Sequence, residues 1–76
     1  MESQNRRKID KKQNIRTLLS PRVCNILNRI DINTFEDLEK YRELDLLMLH
    51  GFGQSCLHEI TILCWLTDLK LKPNFN

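Results

Sequence analysis

Between positions 49 and 60 the chain reads Leu49-His50-Gly51-Phe52-Gly53-Gln54-Ser55-Cys56-Leu57-His58-Glu59-Ile60. An apolar residue, a Gly-x-Gly turn and a helix start follow one another, and few backbones accept that order. Glycine supplies a positive φ or lets another backbone come close. Phe52, held between the two glycines, is placed to plug the turn into a core. The free N–H groups of the helix start then point outward, where an anion such as a phosphate can sit. The same letters also suit an ordinary helix connection that happens to use glycine.

The flanking sequence supplies helices for this turn to join. Ser20-Pro21 is a strong helix start, because serine caps orphan amides and proline suits the first helical position. Val23, Ile26, Leu27 and Ile30 repeat at helical spacing, which predicts a first helix from Pro21 to Ile30. Asp31-Ile32-Asn33 reads as a turn. Thr34 and Asp37 form a capping-box pattern with Asp in place of Glu, opening a short helix through Lys40 that buries Phe35 and Leu38. Glu43 to Met48 reads as a third helix, with Leu44, Leu47 and Met48 inward. The last helix is expected from Gln54 to Leu69, stopping before Pro73. No strand-type alternation or internal repeat is present. The fold class is therefore all-α, a compact bundle of four short helices with a helix-hairpin-helix-like turn. Leu19, Val23, Leu27, Ile30, Phe35, Leu38, Leu47, Phe52, Leu57, Ile60 and Leu63 are the expected core.

With 76 residues the chain makes one domain with a thin core. That is too little to house an ordinary substrate cleft, and no nucleophile–base pair stands out, so an enzyme is not expected. No apolar run approaches the ~20 residues that span a bilayer. The polar N-terminus lacks a signal-peptide segment, and the expected location is the cytoplasm, with no membrane partner. Cys24, Cys56 and Cys64 are three widely spaced thiols without a C-x-x-C, expected to be reduced and at least half-buried. Cys56 with His50 and His58 matches no usual zinc spacing, so neither a metal nor another cofactor is expected.

The net charge of +2 hides an asymmetry. Residues 1–16 hold six basic residues against Glu2 and Asp10, for +4, and the remainder sums to −2. Residues 1–14 thus read as a basic disordered arm, 15–72 as the helical domain and 73–76 as a tail. A basic arm beside a small domain is a nucleic-acid device or a solvated, solubilising tail.

The last helix is too apolar for a surface helix. Leu57, Ile60, Leu63, Cys64 and Thr67 fill one side, yet Ile62, Trp65, Leu66 and Leu69 are apolar too. A surface helix normally keeps a polar half. Order is expected to begin near Ile15, and either the apolar lead-in of Leu18 and Leu19 covers this second stripe, or another protein does, for example a second copy in a homodimer through the last helix.

Three segments resemble a known family in order and spacing. Ser20-Pro21-Arg22-Val23-Cys24-Asn25-Ile26-Leu27 is similar to the Ser-x-Arg-x-x-Asn-x-Leu helix of the C-terminal domain of the bacterial RNA polymerase alpha subunit. Ile32-Asn33-Thr34-Phe35-Glu36-Asp37-Leu38 resembles its Ile-Asn-Thr-x-x-Glu/Asp-Leu segment. Leu46 to Gly53 and Leu57 to Ile60 resemble its Leu-Leu…Leu-Gly-Lys-Lys-Ser-Leu-x-Glu-Ile segment. The resemblance covers about residues 15–72. It implies a bundle of four short helices that binds the minor groove of A·T-rich DNA and touches RNA polymerase partners or a transcription regulator.

The resemblance also implies roles. Arg22 would enter the minor groove, whose narrow A·T form attracts a guanidinium. Asn25, one turn on, would read groove acceptors or phosphate. Gly53 would bring backbone up to a phosphate, and Glu59 would orient Arg22 or a neighbouring donor. The departures point to weak binding. Ser55 and Cys56 stand where the family has lysine and serine, and each lost phosphate contact lowers affinity and salt slope. Ile26 replaces a smaller residue on the groove side. Arg16-Thr17-Leu18 replaces the acidic sigma-facing pair. No N-terminal assembly domain is present, so the sequence reads as a stand-alone relative, a small regulator, a mobile-element protein or an excised domain. Two functions follow: a DNA-binding module using Arg22, Asn25, Gly53, Ser55 and Glu59, or a protein-interaction module of the same fold. The second would use the stripe Ile62, Trp65, Leu66 and Leu69, or the acidic face of Glu36, Asp37, Glu39, Glu43 and Asp45.

Overall fold

A computed structural model describes residues 6–74 of the protein. A 3-10 turn at Ile15–Thr17 leads into α1 (Pro21–Asn28), α2 (Phe35–Leu38), α3 (Glu43–Leu47) and α4 (Gln54–Leu66). Among the described residues no strand forms beyond three isolated bridges.

Local sequence explains where the helices begin. Ser20 Oγ accepts from the Val23 amide at 3.4 Å, with Pro21 in the first turn. Thr34 and Asp37 make the full reciprocal capping box expected of them. Helix α1 ends at Asn28, two residues short of Ile30. Asp31 turns left-handed (φ 64°), the Ile32 amide donates to Leu27 O and the Asp31 amide to Asn28 O. That pairing is a Schellman closure, and it drops Ile32 into the core beside Leu27. Ile30 is left half-buried.

Helix α2 stops at Leu38, short of Lys40. In α3 the inward residue is Leu46, fully buried, while Leu44 is half exposed and Met48 is 83% exposed. Leu47 is only partly buried. Four apolar residues in a row, 46 to 49, carry no phase, and a five-residue helix has room for one inward position per turn. Arg42 precedes α3, and its amide and guanidinium both donate to Asp45.

Two carboxyls therefore titrate low. Asp45 is held at about 2 against an ordinary 3.8, first by the Arg42 side-chain hydrogen bond and then by the Arg42 amide. Asp37 is also held down, chiefly by the amide of Asn33. A depressed folded-state value means stability that is complete above the ordinary carboxylate range and is lost as pH falls through the depressed value. Melting temperature is expected to fall as pH drops from about 4 towards 2. In Arg42→Ala the Asp45 carboxyl midpoint, followed by NMR, should return towards 3.8.

In the hairpin turn only Gly51 adopts the left-handed region, at φ 84°. Phe52 donates its amide to Leu49 O and buries its ring. Gly53 caps α4 in an extended conformation (φ −104°).

Helix α4 ends at Leu66, three residues before the expected Leu69. Thr67 is extended and buried, with its hydroxyl donating to Leu63 O at 2.7 Å and accepting from the Leu69 amide at 3.2 Å. The N-terminal segment ahead of the 3-10 turn supplies the other partners: the Arg7 amide donates to Leu66 O and the Asp68 amide to Arg7 O. These bonds replace the helix's own last turn, and Leu69 turns back into the core at 1% exposure. Leu63, expected to be buried, is only partly so.

The N-terminal segment from Arg7 to Asn14, expected to be disordered, runs along the domain. Residues 1–5 of the expected disordered arm lie outside the described residues. From Arg7 onward the segment is bonded to the fold: Ile9 donates to Asp68, Glu36 donates to Lys11 O, and Ile15 donates to Asn33 O. Lys11 Nζ sits 3.1 Å from Glu39 and 3.7 Å from Asp68. Backbone pairing and that ion pair hold the segment, although Ile9 is its only large apolar side chain before Ile15. Of the expected tail, Asn74 bonds back to Arg42 and Leu44, and residues 75–76 lie outside the described residues.

Candidate nucleic-acid interface

One side chain joins the start of α1 to the second turn of α4. The Ser20 amide donates to Glu59 Oε2 at 2.6 Å, and the Ser20 hydroxyl donates to Glu59 Oε1 at 3.0 Å. Both carboxylate oxygens are thus committed to the residue that caps α1. Glu59 lies five residues beyond Gln54, about 8 Å along the helix axis. The start of α1 is accordingly fixed against the second turn of α4. Of the two roles implied for Glu59, the bonded one is to a neighbouring donor, Ser20, and not to Arg22.

Arg22 and Asn25 are both exposed, and at i, i+3 they share a face of α1. Asn25 lines a shallow hollow with Arg16, Leu19 and Pro21. In the sequence Arg16 belongs only to the basic N-terminal stretch and to the departures from the family pattern. In the fold it is an exposed cation beside Asn25, because the Ile15–Thr17 turn, capped by Asn14, brings it there. Its place depends on the Ile15 pairing with Asn33, so no local signal in the sequence marks it.

At the start of α4, Gly53, Gln54 and Ser55 are exposed. Gly53 has no side chain to act as a cap, so the first amides of the helix face solvent. A Cβ at Gly53 would meet nothing within 4 Å. Nothing inside the protein calls for glycine there, in contrast to Gly51, whose positive φ does. Ile26 is not on this surface: it is 7% exposed, and its Cδ1 lies 3.9 Å from where a Cβ on Gly51 would stand. It supports the hairpin turn from below.

The thiols sit inside or at the edge of the core, Cys24 and Cys56 buried and Cys64 half-buried. Burial pushes the Cys24 and Cys64 thiols up, away from reactivity. Among the described residues no group of three or more His, Cys, Asp or Glu is placed to hold a metal ion. No helix there is long and apolar enough to cross a membrane.

A four-helix module with a glycine hairpin between α3 and α4, and a capped arginine-bearing helix clamped beside it, defines a small helix-hairpin-helix-like class. Residues 1–63 match the family described as the C-terminal domain of the bacterial RNA polymerase alpha subunit, and the protein belongs to that family. No curated protein and no solved structure gives a significant match. Domains of this family serve transcription as DNA-binding and contact modules, not as catalysts.

Proposed function

We propose that this domain binds the backbone and minor groove of A·T-rich duplex DNA, weakly, in transcription or its regulation, in contact with RNA polymerase or a regulator in the cytoplasm. The observation that carries the reading is the Glu59–Ser20 clamp, which fixes the Arg22 turn of α1 against the second turn of α4, a helix whose start at Gly53 is unobstructed. Arg22 supplies the groove cation, Asn25 and Arg16 flank it, and Gly53 to Ser55 offer backbone amides to a phosphate. The functional unit is the 15–72 domain with the N-terminal segment bound to it.

The test is an amide NMR titration with a short A·T-rich duplex. Shifts are expected at Arg22, Asn25 and residues 51–55. Arg22→Ala should weaken binding about tenfold or more at low salt, the loss of one well-placed contact. Gly53→Ala should weaken it several-fold at a small cost in melting temperature, alanine being a poorer N-cap than glycine, because the added methyl meets no protein atom and faces the ligand. Ser55→Lys should tighten binding and raise the salt slope by about one. Equal affinity for Arg22→Ala and wild type would refute the groove role.

The alternative, a protein-interaction module, has less support on its acidic face. Asp37 and Asp45 are spent on helix caps, and Glu39 is paired with Lys11. A homodimer through the last helix also loses ground, because Leu69 is in the core and the stripe narrows to Ile62, Trp65 and Leu66.

A further inference from the structure

That narrowed stripe holds three of the six large hydrophobic side chains exposed among the described residues. Ile62, Trp65 and Leu66 lie at i, i+3 and i+4 on α4, with Trp65 71% and Leu66 61% exposed. Leu18, also exposed, lines one hollow together with Leu66 and the half-buried Ile9. The lead-in therefore flanks the stripe without covering it.

The charges around it are one-sided. Arg7 and Lys8 border the hollow at Leu66, and Arg6, Lys70 and Lys72 border the recess beside Trp65. Asp10 and Glu43 are the acidic residues at these two recesses. Five of the 12 Lys and Arg of the sequence thus meet two of its 10 Asp and Glu, leaving seven against eight for the rest. The positive charge of the molecule is gathered round its exposed apolar stripe, on the stretch where α4 ends, away from Gly53 and Ser55 at its start.

We propose that this face docks an acidic amphipathic helix of a partner protein, its apolar residues on Ile62, Trp65 and Leu66 and its carboxylates on the surrounding cations. Charge complementarity selects this occupant. A second copy placed symmetrically on the same face would set cationic rim against cationic rim. Nucleic acid satisfies the cations and stacks on an indole, but it offers no aliphatic side chains for Leu18, Ile62 and Leu66. An apolar helix face with acidic flanks satisfies both parts.

Trp65 is the only tryptophan, so indole emission reports this face alone. The probe is a synthetic helical peptide of about four turns, with leucine at i, i+3, i+4 and i+7 and Glu or Asp elsewhere. Free protein should emit as a water-exposed indole. The peptide should shift emission to the blue saturably, at low salt, in the micromolar range. Replacing its leucines by serine, or combining Lys70→Glu with Lys72→Glu in the protein, should each weaken binding about tenfold. The double variant should bind the A·T-rich duplex as wild type does, which separates this face from the proposed DNA surface. Four results overturn the proposal: a buried-type emission in the free protein, equal binding of the leucine-free peptide, a Trp65 response to oligo-dT but not to the peptide, or a dimer by sedimentation that the peptide does not displace.

Discussion

Phe35→Ala is expected to lower the unfolding free energy by about 3–5 kcal/mol, the usual cost of emptying a buried phenylalanine site. Phe35 is fully buried and is the largest of the completely enclosed side chains. It opens a helix of only four residues, which has almost no stability of its own and is held by its cap and by this ring. Domains carry roughly 0.05–0.15 kcal/mol per residue, so a protein this short has about 4–11 kcal/mol to lose. The variant should unfold near room temperature or lose cooperativity, read by far-UV circular dichroism in urea. Phe35→Leu should retain most of the stability. A loss under about 1 kcal/mol for Phe35→Ala would mean that α2 does not anchor the core.

Substitutions at Glu59 should separate charge from positioning. Glu59→Ala leaves the part-buried Ser20 amide and hydroxyl without their acceptor, at an expected cost of about 1–3 kcal/mol. Glu59→Gln keeps one acceptor and should cost less. On DNA the two effects oppose each other. Removing a carboxylate near phosphates favours binding by about 1 kcal/mol at water-like dielectric. Releasing the α1 start from α4 disfavours it, because the Arg22 turn is no longer held against α4. Glu59→Gln is therefore expected to bind A·T-rich duplex a few-fold more tightly than wild type, and Glu59→Ala more weakly than Glu59→Gln. Equal affinities for the two variants, in a fluorescence-anisotropy titration, would remove the positioning role.

What could be read from sequence was what lies within about four residues of its cause. Ser20-Pro21, Thr34 with Asp37, and Gly51-Phe52-Gly53 each specify a helix start or a turn through bonds to their near neighbours, and each forms. The residues named for the site sit in the same local motifs, and the structure leaves Arg22, Asn25, Gly53 and Ser55 at the surface, with Glu59 half-buried and bonded to the residue that caps α1. The acceptor role of Glu59 toward Ser20 spans 39 positions and needed the fold.

Tertiary structure alone decided where elements stop and which way ambiguous apolar runs face. A helix end is a competition between its own carbonyl partners and those brought from elsewhere. At Leu66 the competitor is Arg7, some sixty residues away, and it wins by pairing with both Leu66 and Asp68. That one substitution of partners sends Leu69 into the core, ends the apolar stripe at Leu66 and ties down the N-terminal segment. In α3, Leu46 rather than Leu44 or Leu47 is fully buried, a choice for which a run of four apolar residues states no preference. Caps and glycine turns are short-range and so legible in the letters, whereas helix ends, phases and the charge around the α4 stripe depend on segments far apart in sequence.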